Sequence, residues 1–137
     1  MTVQAKVKSL TVTIPVRPYS LNAERTQHWS ARASRTSEVR GWAKLAAMSA
    51  MGGKHRAYFT VPVIVTVHPF ALNRRYRQDV GNCYSSFKSA LDGCVDAGVI
   101  VDDSDQYLSA VTFYAHQFGR DELTLTFSMG ATSTQIW

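Results

Sequence analysis

Cysteine is scarce in this 137-residue chain, with only Cys83 and Cys94, eleven positions apart. On one expected helix that spacing is about 16 Å. Disulfide Cα atoms lie within about 7 Å of one another, which excludes an internal bridge. No CxxC pair or neighbouring histidine gives the two thiols the spacing of a zinc site. Buried free thiols are expected. Long apolar runs are missing too: none approaches the roughly 20 residues of a membrane-spanning helix. The opening "MTVQAKVKSLTVTIPV" alternates polar and apolar residues, without the continuous core of a signal peptide. A soluble, cytoplasmic protein with no membrane partner is expected. His28, His55, His68 and His116 are scattered and form no metal pattern. Repeats, low-complexity tracts and linkers are absent, which leaves one domain over residues 1–137.

Negative charge is scarce in one part of the chain. Residues 1–78 carry 13 Lys/Arg against 2 Asp/Glu, whereas residues 79–137 carry 2 against 8. The net charge of +5 favours an anionic partner, most often nucleic acid. The 45% apolar and 11% aromatic fractions are those of a globular chain and exclude wholesale disorder.

Apolar periodicity supplies the elements. Leu10, Val12 and Ile14 alternate with threonines, a half-buried strand ended by "PVRP". "YSLNAERTQHWSARAS" lacks a period and reads as a loop. A helix is expected from Ser34 to Met51, with Val39, Trp42, Leu45, Ala46 and Ser49 on one face and Gly52–Gly53 as its stop. Trp42 is expected in the core; Trp29, in the polar loop, is left open. Phe59, Val61, Val63, Val65 and Val67 form one face of a strand, and Pro62 inside it favours a sheet edge or a bulge. "HPFALNRRYRQ" is a basic connector. A second helix is expected from Asn82 to Ala97, with Tyr84, Phe87, Leu91, Cys94 and Val95 inward and Gly98 as its stop. Two strands follow, Tyr107–His116 and Glu122–Phe127, joined by "QFGRD" as a hairpin turn. Residues 128–137, ending in Trp137, read as a loosely held tail. The order β-α-β-α-β-β predicts an α+β fold, a mixed sheet of about four strands with two main helices.

Six aspartates gather between Asp79 and Asp105. Lys88 and Asp92 are one helical turn apart and share a face, with Asp96 a turn further. Asp79 precedes this helix; Asp102 and Asp103 follow it. Carboxylates in such a cluster suit hard Mg²⁺ or Mn²⁺, which activate water and neutralise charge in phosphodiester hydrolysis. A nearby lysine adds charge stabilisation. Each residue also has a plainer reading. Asp79 or Asn82 fits a helix N-cap, Lys88–Asp92 an exposed ion pair, and "DDSD" an ordinary turn. An EF-hand is excluded, because the required glycine and glutamate do not follow Asp103.

The stretch "RRYRQDVGNCYSSFKSALDGCVDAGVIVDDSDQYL" resembles the core motif of RusA-type Holliday junction resolvases. Its elements here are Asp79, Asn82, Lys88, Asp92, Gly98 and Asp102–Asp103. "TIPVRPYSLN" is similar to that family's first strand and turn. The resemblance implies a small homodimeric endodeoxyribonuclease, often phage-encoded and so acting in a host cytoplasm, that resolves four-way DNA junctions with Mg²⁺ or Mn²⁺. It implies Asp79 and Asp103 as catalytic metal ligands and Lys88 as the catalytic lysine. Asp92 and Asp102 support them, Asp102 as a further metal ligand, and Asn82 is a supporting residue. One position departs from the pattern: its usual second aspartate is Gly81 here, so either Asp92 or Asp102 compensates or metal binding and rate are weakened. A helix from Asn82 to Ala97 is about 24 Å long, and the six residues from Ala97 to Asp103 span about 20 Å. Asp103 therefore meets Asp79 only if the helix is shorter or the chain turns straight back; otherwise two subunits complete the site. Arg74, Arg75 and Arg77 would then flank the scissile phosphate, while Arg25, Arg32, Arg35, Arg40 and Lys44 follow the DNA arms. Two other readings are a junction-binding module that has lost a metal ligand and does not cut, and a basic protein with no nucleic-acid role.

Overall fold

A computed structural model describes residues 8–20, 29–53 and 57–129. Arg25, His28, His55, Trp137 and the rest of the expected tail from 130 onward lie outside the described residues. The elements are β1 (Ser9–Ile14), α1 (Trp29–Ala50), β2 (Val63–Ala71), a 3₁₀ turn (Arg74–Tyr76), α2 (Tyr84–Ala97), β3 (Leu108–Phe113), β4 (Gln117–Phe118) and β5 (Glu122–Met129). Two helices lie against one mixed sheet, an α+β arrangement. The strand order is β1-β5-β2-β3, with β4 on the far end of β2. β5 is antiparallel to both of its neighbours, while β3 and β4 run parallel to β2.

Alternation gives this sheet one buried face. Leu10, Val12 and Ile14 of β1, Val63, Val65 and Val67 of β2, and Leu123, Leu125 and Phe127 of β5 are all buried. The strand expected over Tyr107–His116 ends at Phe113 as β3, and a fifth strand, β4, forms in the stretch expected as a turn. Val67 pairs with Phe113 and Phe70 with Gln117, so His68 and Pro69 have no ladder partner on that edge. Pro69, which lacks an amide to donate, falls at the interruption. "QFGRD" is not a hairpin between paired strands. β4 and β5 lie on opposite sides of β2, and the turn carries the chain across its end. Gly119, at φ +113°, donates its N–H to Ala71 and Leu72 carbonyls there. Pro62 precedes β2, which is central rather than an edge; the irregularity it favours appears as a register shift between Val63 and Ile64. Ser128 and Met129 belong to β5, paired to β2, so the expected tail loses its first two residues to the sheet.

α1 begins at Trp29, five residues earlier than expected, since "WSARAS" holds helix-forming Ala and Arg and no breaker. Its buried face is Val39, Ala43 and Ala47. Trp42 is 47% exposed and Leu45 61%, which corrects the expected core face. The cause is the approach of α2: a Cβ on Gly93 would lie 2.2 Å from the Arg40 carbonyl oxygen and 2.8 Å from Ala43 Cβ. Only small residues fit at that crossing, and the bulky ones turn outward. Along α2, Phe87, Leu91 and Cys94 are buried as their spacing predicts. Tyr84 is exposed in the first turn, its ring near those of Phe87 and Phe113. Gly98, in the left-handed region at φ 92°, ends the helix by donating to the Cys94 and Val95 carbonyls. Neither Asp79 nor Asn82 caps the other end; the N-cap is Cys83, without a side-chain bond. Among the described residues no helix is long and apolar enough to cross a membrane.

Candidate metal and nucleic-acid site

After Gly98 the chain turns straight back, burying Val99 and Ile100 against the core. Asp103 thereby reaches the middle of α2. The Lys88 ammonium donates to Asp92 Oδ1 at 2.9 Å, one helical turn on, and also to Asp103 Oδ2. Their side chains are 41%, 32% and 34% exposed, so water screens the cluster and it adds about 1 kcal/mol of stability or less. Burial alone would lower the Lys88 pKa, but the hydrogen bonds to Asp103 and Asp92 outweigh it and the net shift is upward. The same hydrogen bond from Lys88, opposed by desolvation, holds the Asp103 carboxyl below its ordinary value. Near neutral pH Lys88 is therefore a cation rather than a base, paired with an ionised Asp103.

The expected metal trio is not assembled. Among the described residues, no three His, Cys, Asp or Glu are close enough together to share a metal ion. Asp102 Oδ1 accepts the Ser104 N–H at 2.9 Å, closing a local turn, while its side chain stays beside Asp103 and contributes to the lowering of that carboxyl's pKa. Asp79 belongs to the turns before α2, where its carbonyl accepts the Asn82 N–H and the Gly81 carbonyl accepts that of Tyr84. Lys88 is about 6 Å further along the helix axis than Tyr84. Gly81 has φ 86°, the left-handed region that glycine tolerates best, so this turn depends on the residue that replaces the motif's second aspartate. Of the two candidates to compensate for it, Asp92 shares the Lys88 ammonium with Asp103, and Asp102 lies beside Asp103. Two carboxylates meeting at one cation suit Mg²⁺ or Mn²⁺, since magnesium commonly takes one or two carboxylates plus water and phosphate oxygens.

The basic residues divide into committed and uncommitted ones. Arg40 donates from Nε and Nη2 to both Asp96 oxygens, at 2.6 and 2.8 Å, across the α1–α2 crossing. That engagement ties Arg40 to the helix crossing, and Lys44 adds to the field that lowers the Asp96 pKa. Arg32 is half-buried on α1 and Lys44 is exposed there. Arg74 and Arg75 are carried by the 3₁₀ turn, whose cap Asn73 Oδ1 accepts the Arg75 N–H. Arg74 lies over the Phe118 ring at 5.2 Å and Arg75 over Tyr76 at 5.3 Å, both exposed, with Arg77 exposed beyond them. Arg35 sits over the Tyr19 ring at 5.0 Å.

A cleft of about 670 Å³ brings Arg35, Arg75 and Arg77 together with Arg17, opposite Glu38 and Asp121. Arg17 pairs with both oxygens of Asp121 at 2.9 Å. Sequence reasoning missed Arg17, Tyr76, Gln78 and Asp121 as one group. Arg17 and Asp121 are 104 positions apart, and no local spacing connects them. The thiols carry no chemistry here: burial pushes Cys83 up to about 11 and Cys94 further up, so both stay protonated. The sequence matches no protein-family model and no curated protein.

Proposed function

We propose that the chain is a metal-dependent, structure-selective endodeoxyribonuclease of the RusA type, resolving four-way DNA junctions by paired phosphodiester hydrolysis. The observation that carries this reading is the convergence of Lys88, Asp92 and Asp103, which are three of the motif's acidic and basic positions. A bound Mg²⁺ or Mn²⁺ supplies an activated water and charge neutralisation on the attacked phosphate. Asp92 and Asp103 hold the ion, and Lys88, kept protonated by them, adds positive charge where it builds on phosphate oxygens. Arg74, Arg75 and Arg77 contact the backbone near the cut strand. A homodimer places two such sites about a two-fold axis, matching the symmetry of a four-way junction.

The test is cleavage of a labelled synthetic four-way junction with Mg²⁺ or Mn²⁺, with linear duplex and Asp103→Asn as controls. Paired nicks near the crossover are expected, reduced about 100-fold or more in the variant. One observation favours a second reading: among the described residues Asp79 forms no metal-binding group of three with the other carboxylates, and Gly81 occupies the place of a ligand. A junction-binding module that does not cut would bind the four-way DNA tightly and salt-sensitively in either metal, leaving it intact.

A further inference from the structure

The arginine cleft shares no residue with the Lys88–Asp92–Asp103 cluster. It lies between residues 15–20, the face of α1 that carries Arg35 and the arginine turn before α2. One wall is preset without any ligand. The Arg17 guanidinium lies over the Tyr76 ring at 3.8 Å and is held there by Asp121, which also accepts the Leu72 N–H. Asp121 neutralises Arg17, so that residue serves as wall rather than anion contact. Arg75 and Arg77, by contrast, form no ion pair with any described residue. Gln78 donates from Nε2 to the Pro18 carbonyl at 3.1 Å, which leaves its Oε1 buried without a donor. That oxygen has almost no accessible surface, so it belongs to the floor of the cleft and is out of a ligand's reach.

Three features define the occupant. The volume falls within the roughly 300–1,000 Å³ of small-ligand sites. Proline rings and the Arg17 guanidinium stacked on Tyr76 offer flat walls. Two arginines at the rim that form no ion pair with any described residue demand an anion. A phosphate oxyanion joined to a planar ring meets all three. We propose that this cleft holds one unpaired nucleotide of a nucleic-acid strand, its phosphate on Arg75 and Arg77 and its base against the stacked Arg17 plane and the proline walls. The inference rests on the nucleic-acid reading above for its ligand class alone. A continuous duplex, whose bases stay stacked, would engage the rim arginines and leave the cleft empty.

The test uses the full chain in EDTA, with fluorescence anisotropy of a labelled oligothymidylate of about five nucleotides, the low end of known single-strand sites. Competitors are thymidine monophosphate, a linear duplex and polyphosphate of matched charge. The oligonucleotide is expected to bind, with duplex and polyphosphate competing at least about tenfold more weakly. The exposed double variant Arg75→Gln/Arg77→Gln should weaken oligonucleotide binding about tenfold. Val16→Trp, which fills the cleft and keeps every arginine, should do the same while polyphosphate binding stays unchanged. Competition by the monophosphate would show that the isolated unit suffices. Its failure, with oligonucleotide binding still lost in both variants, would assign the cleft to a nucleotide within a strand. No oligonucleotide binding, equal competition by polyphosphate or duplex, or normal binding by a folded Val16→Trp would overturn the proposal. If Val16→Trp does not melt cooperatively, the double variant decides on the same terms. No metal is present and no bond is cut, so failure here leaves junction cleavage standing, and loss of cleavage leaves this site standing.

Discussion

Gly93 and Gly41 should respond in opposite directions to the same substitution. Both are helical glycines, and in an unhindered helix Gly→Ala stabilises by about 1 kcal/mol. Gly41, on the exposed side of α1, has nothing within 4 Å of the added methyl and should show that gain. On α2 the methyl of Gly93→Ala would meet the Arg40 carbonyl oxygen at 2.2 Å, Ala43 Cβ at 2.8 Å and the Lys44 amide nitrogen at 3.0 Å. Two of these atoms are backbone, so no rotamer change relieves the contact and the helices must move apart. Overpacking costs about 1–3 kcal/mol and occasionally more; a rigid backbone obstacle puts this case at the upper end or beyond it. With the propensity gain subtracted, a net loss of about 2–3 kcal/mol is expected. At this chain length that lowers the melting temperature by about 6–12 °C, whereas Gly41→Ala should raise it by about 3 °C. Thermal melts followed by far-ultraviolet circular dichroism would measure both. Separation of the helices also disturbs the Arg40–Asp96 pair and Asp92, the neighbour of Gly93, so the proposed junction cleavage should fall with stability. A Gly93→Ala protein as stable as the parent would refute the close-crossing argument, together with the account of why Trp42 and Leu45 face outward.

Two further predictions concern pH. Asp103 is held below its ordinary value by Lys88, so the unfolded chain binds the proton more readily. Their pairing contributes fully above the unfolded value of 3.8 and is lost as pH falls through the lower folded value. At the alkaline end it is full below 10.5 and lost as pH rises through the raised Lys88 value. Lys88→Met should flatten both limbs by about 1 kcal/mol or less in urea melts, and unchanged pH profiles would count against the pairing. His116 behaves differently, because burial lowers its pKa and neither ring nitrogen has a partner. Its neutral form suits the fold, so stability is full above pH 6.5 and declines below it, as the unfolded chain takes up the proton first. His116→Phe should lose less stability than the parent between about pH 7.5 and 5.5, and equal losses would refute the argument.

Much of this protein is legible in local pattern. Period-two alternation marks β1, β2 and β5, the spacing of Phe87, Leu91 and Cys94 marks the buried side of α2, and Gly98 marks its end. Lys88 and Asp92 fall on one face by spacing alone, and the cysteines are separated by too much helix to bridge. Each of these follows from geometry within about one turn or one strand, which the chain carries with it wherever it docks. Neighbours are another matter. Alternation says that β2 has a face, not that β5 and β3 flank it, and so Pro62 left an edge and a bulge equally open until the sheet placed β2 inside it with a register shift at Val63–Ile64. Helical spacing allowed Trp42 and Leu45 on the inner side of α1 until the approach of Gly93 left room only for alanines. Asp103 beside Lys88, Arg40 against Asp96 and Arg17 against Asp121 join residues 15, 56 and 104 positions apart. Their pairing depends on how a reversal after Gly98, a helix crossing and a turn across the end of β2 bring distant chain together. The chain's local chemistry thus specifies its elements and its store of charges. Packing decided which charges meet, because close approach between elements is a property of their combined shapes and is written in neither one alone.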